Sequence, residues 1–141
     1  MRSKIWIGLA IFLALASGSC SRDTAILPGN TRFEITVSNA TFQPALWRVP
    51  AGDIIVFNIN NQDSSQHDFT ILLRPSTSPS STFDPADIYF QEPLKPSGST
   101  IIEFHAPAAP GTYQALSTLP GDAEKGMIGT LVVVQLSSEE N

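Results

Sequence analysis

The stretch from Gly111 to Val134, GTYQALSTLPGDAEKGMIGTLVVV, limits the possible folds more than any other part of the chain. It reads as strand, loop, strand. Gly111-Thr112-Tyr113 opens a strand after the turn pair Pro110-Gly111. Pro120-Gly121 marks a turn, and Gly126 and Gly129 flank Met127. Leu131 to Val134 is an apolar, β-branched run that suits a buried closing strand. Upstream the same two-residue period recurs. Phe33, Ile35 and Val37 fall on one face, then Ile55, Phe57 and Ile59, then Phe69, Ile71 and Leu73. In the segment from Ser99 to His105, Ile102 and Phe104 point one way and Ile101 and Glu103 the other. One helical turn is expected around residues 84–90, with Asp84 as N-cap and Pro85 at the first helical position. Pro75 to Thr82 is a Ser/Pro-rich loop. With 15% charged residues and 11 Pro and 9 Gly in 141 residues, the chain is one all-β domain rich in turns.

The 111–134 stretch resembles the copper-binding end of the cupredoxins, the blue-copper electron carriers. Their pattern runs G-T-Y, then Cys, four residues, His, four residues, Met, then G-x-L-x-V. In this chain Ser117, Asp122 and Met127 occupy the Cys, His and Met positions. Three further segments are similar to the family: Phe42-x-Pro44…Val49-x-Ala51-Gly52-Asp53, His67-Asp68-Phe69, and the L-x-P-G-x-S…F-x-A-P stretch around residues 94–107, which departs from the pattern at Ser97. The resemblance implies a cupredoxin-like Greek-key β-sandwich of seven or eight strands over about residues 31–137, followed by a short tail at 138–141. The His-Asp-Phe motif implies His67 as the first imidazole position.

The same resemblance implies a degenerate metal site made of His67, Ser117, Asp122 and Met127. A blue-copper centre holds its ion with two imidazoles and one thiolate, and a long axial Met. A serine hydroxyl is a hard, neutral donor and does not replace a soft thiolate. No type-1 centre is therefore expected, and copper is admitted only in another form. A remodelled site of His67, Asp122 and Met127 would leave the shell open to water. Three roles follow: a non-redox binding or accessory module, a metal-binding protein with the remodelled site, or an electron-transfer cupredoxin. The cupredoxin-like domain of periplasmic iron-uptake proteins of the EfeO type is a similar case in fold. The only other histidine, His105, lies before the turn leading to Gly111 and is expected at the opposite end of the sandwich from His67. No H-E-x-x-H, P-loop or Ser-His-Asp order appears, so no enzyme is expected.

The N-terminus reads as an export signal. Arg2 and Lys4 precede a 12-residue apolar run, Ile5 to Ala16, which falls short of the roughly 20 residues a spanning helix needs. Small residues then lead to Cys20, the only cysteine of the chain. This resembles a bacterial lipoprotein signal over residues 1–19, with Cys20 as the lipidated residue; ordinary cleavage after Ala16 is the alternative. No intramolecular disulfide can form. Residues 20–30 would be a tether, reaching about 33–36 Å if ten residues are extended. A lipid anchor would place the domain on the periplasmic or cell-surface side of a bacterial membrane. Without residues 1–19 the chain has six basic against 13 acidic residues, net −7. That excess argues against nucleic acid as a partner and leaves an unidentified protein partner.

Overall fold

The computed structural model describes residues 31–77 and 83–136. The expected signal, Cys20, the tether and the tail at 138–141 lie outside the described residues. Within them are nine strands in two sheets, one 3-10 turn and no α-helix. No helix among the described residues is long and apolar enough to cross a membrane.

The strands are β1 (Thr31–Val37), β2 (Phe42–Gln43), β3 (Leu46–Pro50), β4 (Ile54–Asn61), β5 (His67–Leu72), β6 (Ile88–Leu94), β7 (Gly98–His105), β8 (Gly111–Leu116) and β9 (Ile128–Val134). One sheet has the order β2-β1-β4-β7 and the other β3-β9-β8-β5-β6. The pairs β1–β4 and β3–β9 are parallel and all others antiparallel. The chain changes sheet between β2 and β3, where Gln43-Pro44 is a cis peptide. The fold is the all-β sandwich expected. The strand count exceeds the expected seven or eight because β2, only two residues long, and β6 are separate strands.

The alternation read from the sequence sets the core. Ile55, Phe57 and Ile59 of β4 are fully buried, and Ile35 and Val37 of β1 join them. Ile102 and Phe104 of β7 point inward, while Ile101 stands 70% exposed. Phe57 lies at the centre, with ring centroids 5.1 Å from Phe69, 5.4 Å from Phe33 and Phe104, and 5.7 Å from Trp47. Such offset and edge-on pairs add about 0.5–1.5 kcal/mol each beyond the burial itself. Gly129 permits the closest approach in this core. A Cβ there would lie 2.6 Å from the Trp47 ring, so β9 can pass Trp47 only with no side chain at that position.

Three local expectations need correction. Leu73 lies beyond β5 and is 49% exposed, because the chain leaves the sheet at Leu72. The helical turn covers only Pro85–Asp87, with the Asp84 carboxylate accepting from the Ala86 N–H at 2.9 Å; Ile88 to Phe90 already belong to β6. The closing strand is not buried throughout. In β9, Leu131 and Val133 face the core and Val132 and Val134 are half-buried, because β9 is covered on one side only. The fully covered strand is β5, all six of whose residues are buried. Phe69 and Ile71 face the core, and Asp68, Thr70 and Leu72 on the other face are buried as well; the connection that follows β5 begins at Leu73. That connection is fastened by the Ser76 N–H to Gln114 Oε1 (2.7 Å) and the Leu73 N–H to the Asp87 carbonyl (2.7 Å).

Candidate functional site

His67 begins β5, directly after the polar loop that ends β4. Ser117 is the first residue past β8, and Met127 is the last before β9. Because β5 and β8 are paired neighbours, with Thr70 opposite Leu116, both chains deliver these residues to one end of one sheet. The loop between β8 and β9 then folds back as a series of turns. Its Asp122 carbonyl accepts the Met127 N–H at 3.0 Å, and the Met127 carbonyl accepts the Ser117 N–H at 3.2 Å. These backbone bonds fix the five-residue spacing of 117, 122 and 127 in space.

Three of the four expected site residues meet through their side chains. The Ser117 hydroxyl donates to Asp122 Oδ2 at 2.6 Å, and His67 Nδ1 lies 2.7 Å from the same oxygen. All are buried: His67 is 3% exposed, Ser117 0% and Asp122 6%. Met127 joins them through its backbone, and its side chain is part of the hydrophobic core. The backbone N–H of Asp68 donates to Ser117 Oγ at 3.2 Å, so the hydroxyl has both a donor and an acceptor.

A fifth residue completes the cluster and was not anticipated. His67 Nε2 lies 3.1 Å from Asp63 Oδ2. The imidazole thus stands between two carboxylates, one at each ring nitrogen. A neutral ring carries one N–H, so the two contacts together require a second proton, on the ring or on a carboxyl group. Asp63 also accepts the backbone N–H groups of Asn39 (2.8 Å) and Ala40 (2.9 Å). The Ala40 N–H above all, then that of Asn39 and the His67 ring, hold the Asp63 carboxyl below the usual carboxylate range, against the opposing effect of burial. Asn39 and Ala40 are the central residues of the β1–β2 hairpin turn, both at positive φ (52° and 50°). Primed hairpin turns need that conformation, and a residue with a Cβ adopts it at a cost of roughly 1–2 kcal/mol. Asp63 offsets the cost by satisfying both outward-pointing N–H groups.

The second buried carboxylate of this region, Asp68, has a different task. It accepts from the Thr70 hydroxyl (2.9 Å), the Thr118 N–H (2.8 Å) and Gln91 Nε2 (3.2 Å). It ties β5 to β6 and to the residue after Ser117. His105 is exposed and pairs with Ile54 at the far end of β4. Seven residue steps of strand, from Ile54 to Asn61, separate it from the site end, about 23 Å at 3.3 Å per step, so it is no substitute ligand.

The donor chemistry does not fit a type-1 copper centre. The thiolate position carries a hydroxyl that already spends its proton on Asp122, and the second imidazole position carries that carboxylate. Among the described residues, no three His, Cys, Asp or Glu side chains are grouped as they would be around a metal ion. The geometry explains this: Asp63 and Asp122 lie on different nitrogens of the same ring, so one ion cannot reach all three. An activated serine is not formed either. That would need the hydroxyl to donate to the imidazole, whereas Ser117 donates to the carboxylate.

Nothing in the sequence marked Asp63. It lies four residues before His67 in the run NNQDSSQ, which reads as an ordinary polar loop. Its contact with residues 39 and 40 depends on β1 and β4 being parallel neighbours, with Val37 opposite Asn61.

The chain was compared with known proteins. No curated protein matches the sequence. Among solved structures, the reduced auracyanin of the photosynthetic bacterium Roseiflexus castenholzii is 27% identical, with 75% of this chain and 98% of that one aligned and a TM-score of 0.62. Auracyanin A, a "blue" copper protein of Chloroflexus aurantiacus, is 24% identical over 75% of this chain and 100% of that one, at a TM-score of 0.63. Rusticyanin of Thiobacillus ferrooxidans is 18% identical over 77% and 79%, also at 0.63. The last two likenesses speak for the fold. Residues 7–133 match the family described as the cupredoxin-like domain, and the chain belongs to that family.

Proposed function

We propose that this protein is an exported cupredoxin-like domain that acts as a non-redox binding or accessory module, held at a bacterial membrane by a lipid on Cys20. The observation that carries the non-redox part is the shared oxygen, Asp122 Oδ2, which accepts from Ser117 at 2.6 Å and faces His67 Nδ1 at 2.7 Å. The groups at the ligand positions satisfy one another. Fast electron transfer by a blue-copper centre rests on the copper–thiolate bond, and this site has no thiolate to form it. Fold does not fix function, and here the site chemistry outweighs the family's usual role. The export part is supported by the Arg2/Lys4–apolar run–Cys20 pattern.

The test is to add Cu(II) to the purified protein and record its absorption. The expected result is no intense thiolate-to-copper band; a strongly blue protein would overturn the proposal. Mass spectrometry of the mature N-terminus tests the anchor. A lipid-modified Cys20 is expected, and an unmodified Ser17 at the N-terminus rejects it.

A second reading has one observation in its favour. A metal-binding histidine commonly gives its other ring N–H to a carboxylate, and Asp63 stands in that position behind His67. Periplasmic metal binding through His67, Asp122 and Met127 would then require the Ser117–Asp122–His67 bonds to open. Calorimetric titration with Cu(II), Zn(II) and Fe(III) decides it. Binding abolished by His67→Ala supports this second role; absence of binding, or binding untouched by the substitution, removes it.

A further inference from the structure

We propose that Asp63 is a clasp through which the 38–41 hairpin turn and the Met127 loop open as one unit. The inference rests on the reading above, in that hydrogen bonds rather than a metal hold this end of the sandwich. Within the turn, the Thr41 hydroxyl donates to the Ser38 carbonyl at 2.7 Å and Ala40 packs into the core. Ser38 and Thr41 exchange backbone bonds at 3.2 Å, and the two residues between them sit at positive φ. Their N–H groups both end on Asp63. Asp63 is itself held firmly: its N–H donates to Asn61 Oδ1 (3.1 Å) and its carbonyl accepts from the Ser97 N–H (2.8 Å). Its Oδ2 is shared between Ala40 and His67, so the turn and the imidazole compete for, and orient, one oxygen.

From His67 the connection passes to Asp122, and from Asp122 through its backbone to Met127. No step in this series is a long contact, and His67 at its centre is buried. Losing one carboxylate would leave the ring free to turn toward the other, weakening the hold of Asp63 on Asn39 and Ala40. The coupling is reciprocal by thermodynamic necessity: disturbing the turn loosens the loop by the same factor. A partner that grips either element would therefore order the other.

Amide hydrogen exchange on the full chain, with chelator and no added metal, tests this. Asp122 touches neither Asn39 nor Ala40 in any described bond. In Asp122→Ala these two amides should nevertheless exchange roughly tenfold to a hundredfold faster, the factor expected for losing a hydrogen bond to a charged group. The Gly52 and Ala106 amides, bonded to Pro107 and Asp53 at the opposite end of the sandwich, serve as the control and should accelerate by a clearly smaller factor. Asp122→Asn, which keeps an acceptor oxygen, should give a smaller acceleration at the same two amides and serves if the alanine variant does not fold. Asp68→Asn should leave Asn39 and Ala40 unchanged. The proposal is overturned if Asn39 and Ala40 keep their wild-type rates in the Asp122 variants, or if they accelerate no more than Gly52 and Ala106. Copper uptake by the wild type, seen by absorption, would overturn the metal-free reading instead and is recorded separately.

Discussion

Replacing Asp122 by alanine would show how much the hydrogen-bonded cluster contributes to the fold. Asp122 Oδ2 is the acceptor for the Ser117 hydroxyl and faces His67 Nδ1, and both donors are almost fully buried. A hydrogen bond to a charged group contributes about 1.5–3 kcal/mol, and stranding its buried donor adds a desolvation cost of similar size. Two terms partly offset these losses. The variant no longer buries a carboxylate, and Ser117 can rotate toward another acceptor. The two bonds also share one oxygen, so their losses do not simply add. A net destabilisation of about 2–4 kcal/mol follows, a large part of the roughly 5–15 kcal/mol available to a small domain.

Urea unfolding followed by Trp fluorescence would measure it. With a slope of about 2 kcal/mol/M, the midpoint should fall by about 1–2 M at unchanged slope. Ser117→Ala alone should cost less, because only one bond to the carboxylate is lost. In the double variant the two effects should overlap, with a coupling of about 0.5–3 kcal/mol. All measurements belong in chelator. A loss under about 0.5 kcal/mol for Asp122→Ala, or strict additivity with Ser117→Ala, would refute the claim that this carboxylate organises the site.

Further outcomes follow from the same geometry. Ser117→Cys combined with Asp122→His should give a blue, copper-binding protein, because the Asp68 N–H already points at the side-chain atom of residue 117 and the Ser117–Met127 backbone bond sets the loop; a colourless copper-loaded variant would show that the loop has moved out of register. Gly129→Ala should lose stability at the upper end of the roughly 1–3 kcal/mol typical of overpacking, since Trp47 is enclosed by Phe42, Phe57 and Phe69 and cannot give way; thermal melting checks it, and an unchanged Tm contradicts the close approach. The lowered Asp63 value has a definite sign. The unfolded chain takes up this proton more readily than the folded one, so the stabilisation is complete above the unfolded value near pH 4 and is lost as pH falls through the lower folded value. Asp63→Asn should flatten that segment of the stability–pH curve, and an unchanged slope would exclude Asp63 as its source.

The core strands were legible because their period matches their burial. Phe57 and Ile59, or Ile102 and Phe104, are apolar where they face inward and have polar or tolerated neighbours outside. Ser117, Asp122 and Met127 were legible as a set only through the resemblance of the 111–134 stretch to the cupredoxin pattern, whose spacing they keep. Other parts could not be read from local pattern. Strand β6 runs through Tyr89, Gln91 and Pro93, whose outward faces carry no period strong enough to separate strand from turn. Leu73 continues the alternation of Phe69 and Ile71 yet lies outside the sheet, because the register with β6 shifts between Ile71 and Leu72. Asp63 required knowledge of which strands are neighbours. A parallel β1–β4 pair brings residues 24 positions apart into contact, and nothing in a seven-residue polar loop announces that.

The two departures from a blue-copper ligand set are best understood as one change. A serine at 117 with a histidine at 122 would remove the carboxylate that accepts from Ser117 and faces His67 Nδ1. An aspartate at 122 with a cysteine at 117 would set a carboxylate against a thiolate. Serine and aspartate together form a donor and an acceptor at 2.6 Å, and the carboxylate also engages the retained histidine. A buried polar group left without a partner costs about 1–3 kcal/mol. Among the described residues the only such side-chain atom is Trp47 Nε1, in the aromatic core, and none belongs to the cluster. Mutual satisfaction of Asp63, His67, Asp122 and Ser117 is therefore what lets these polar groups stay buried together, and a polar atom of that cluster found stranded in the metal-free protein would count directly against it.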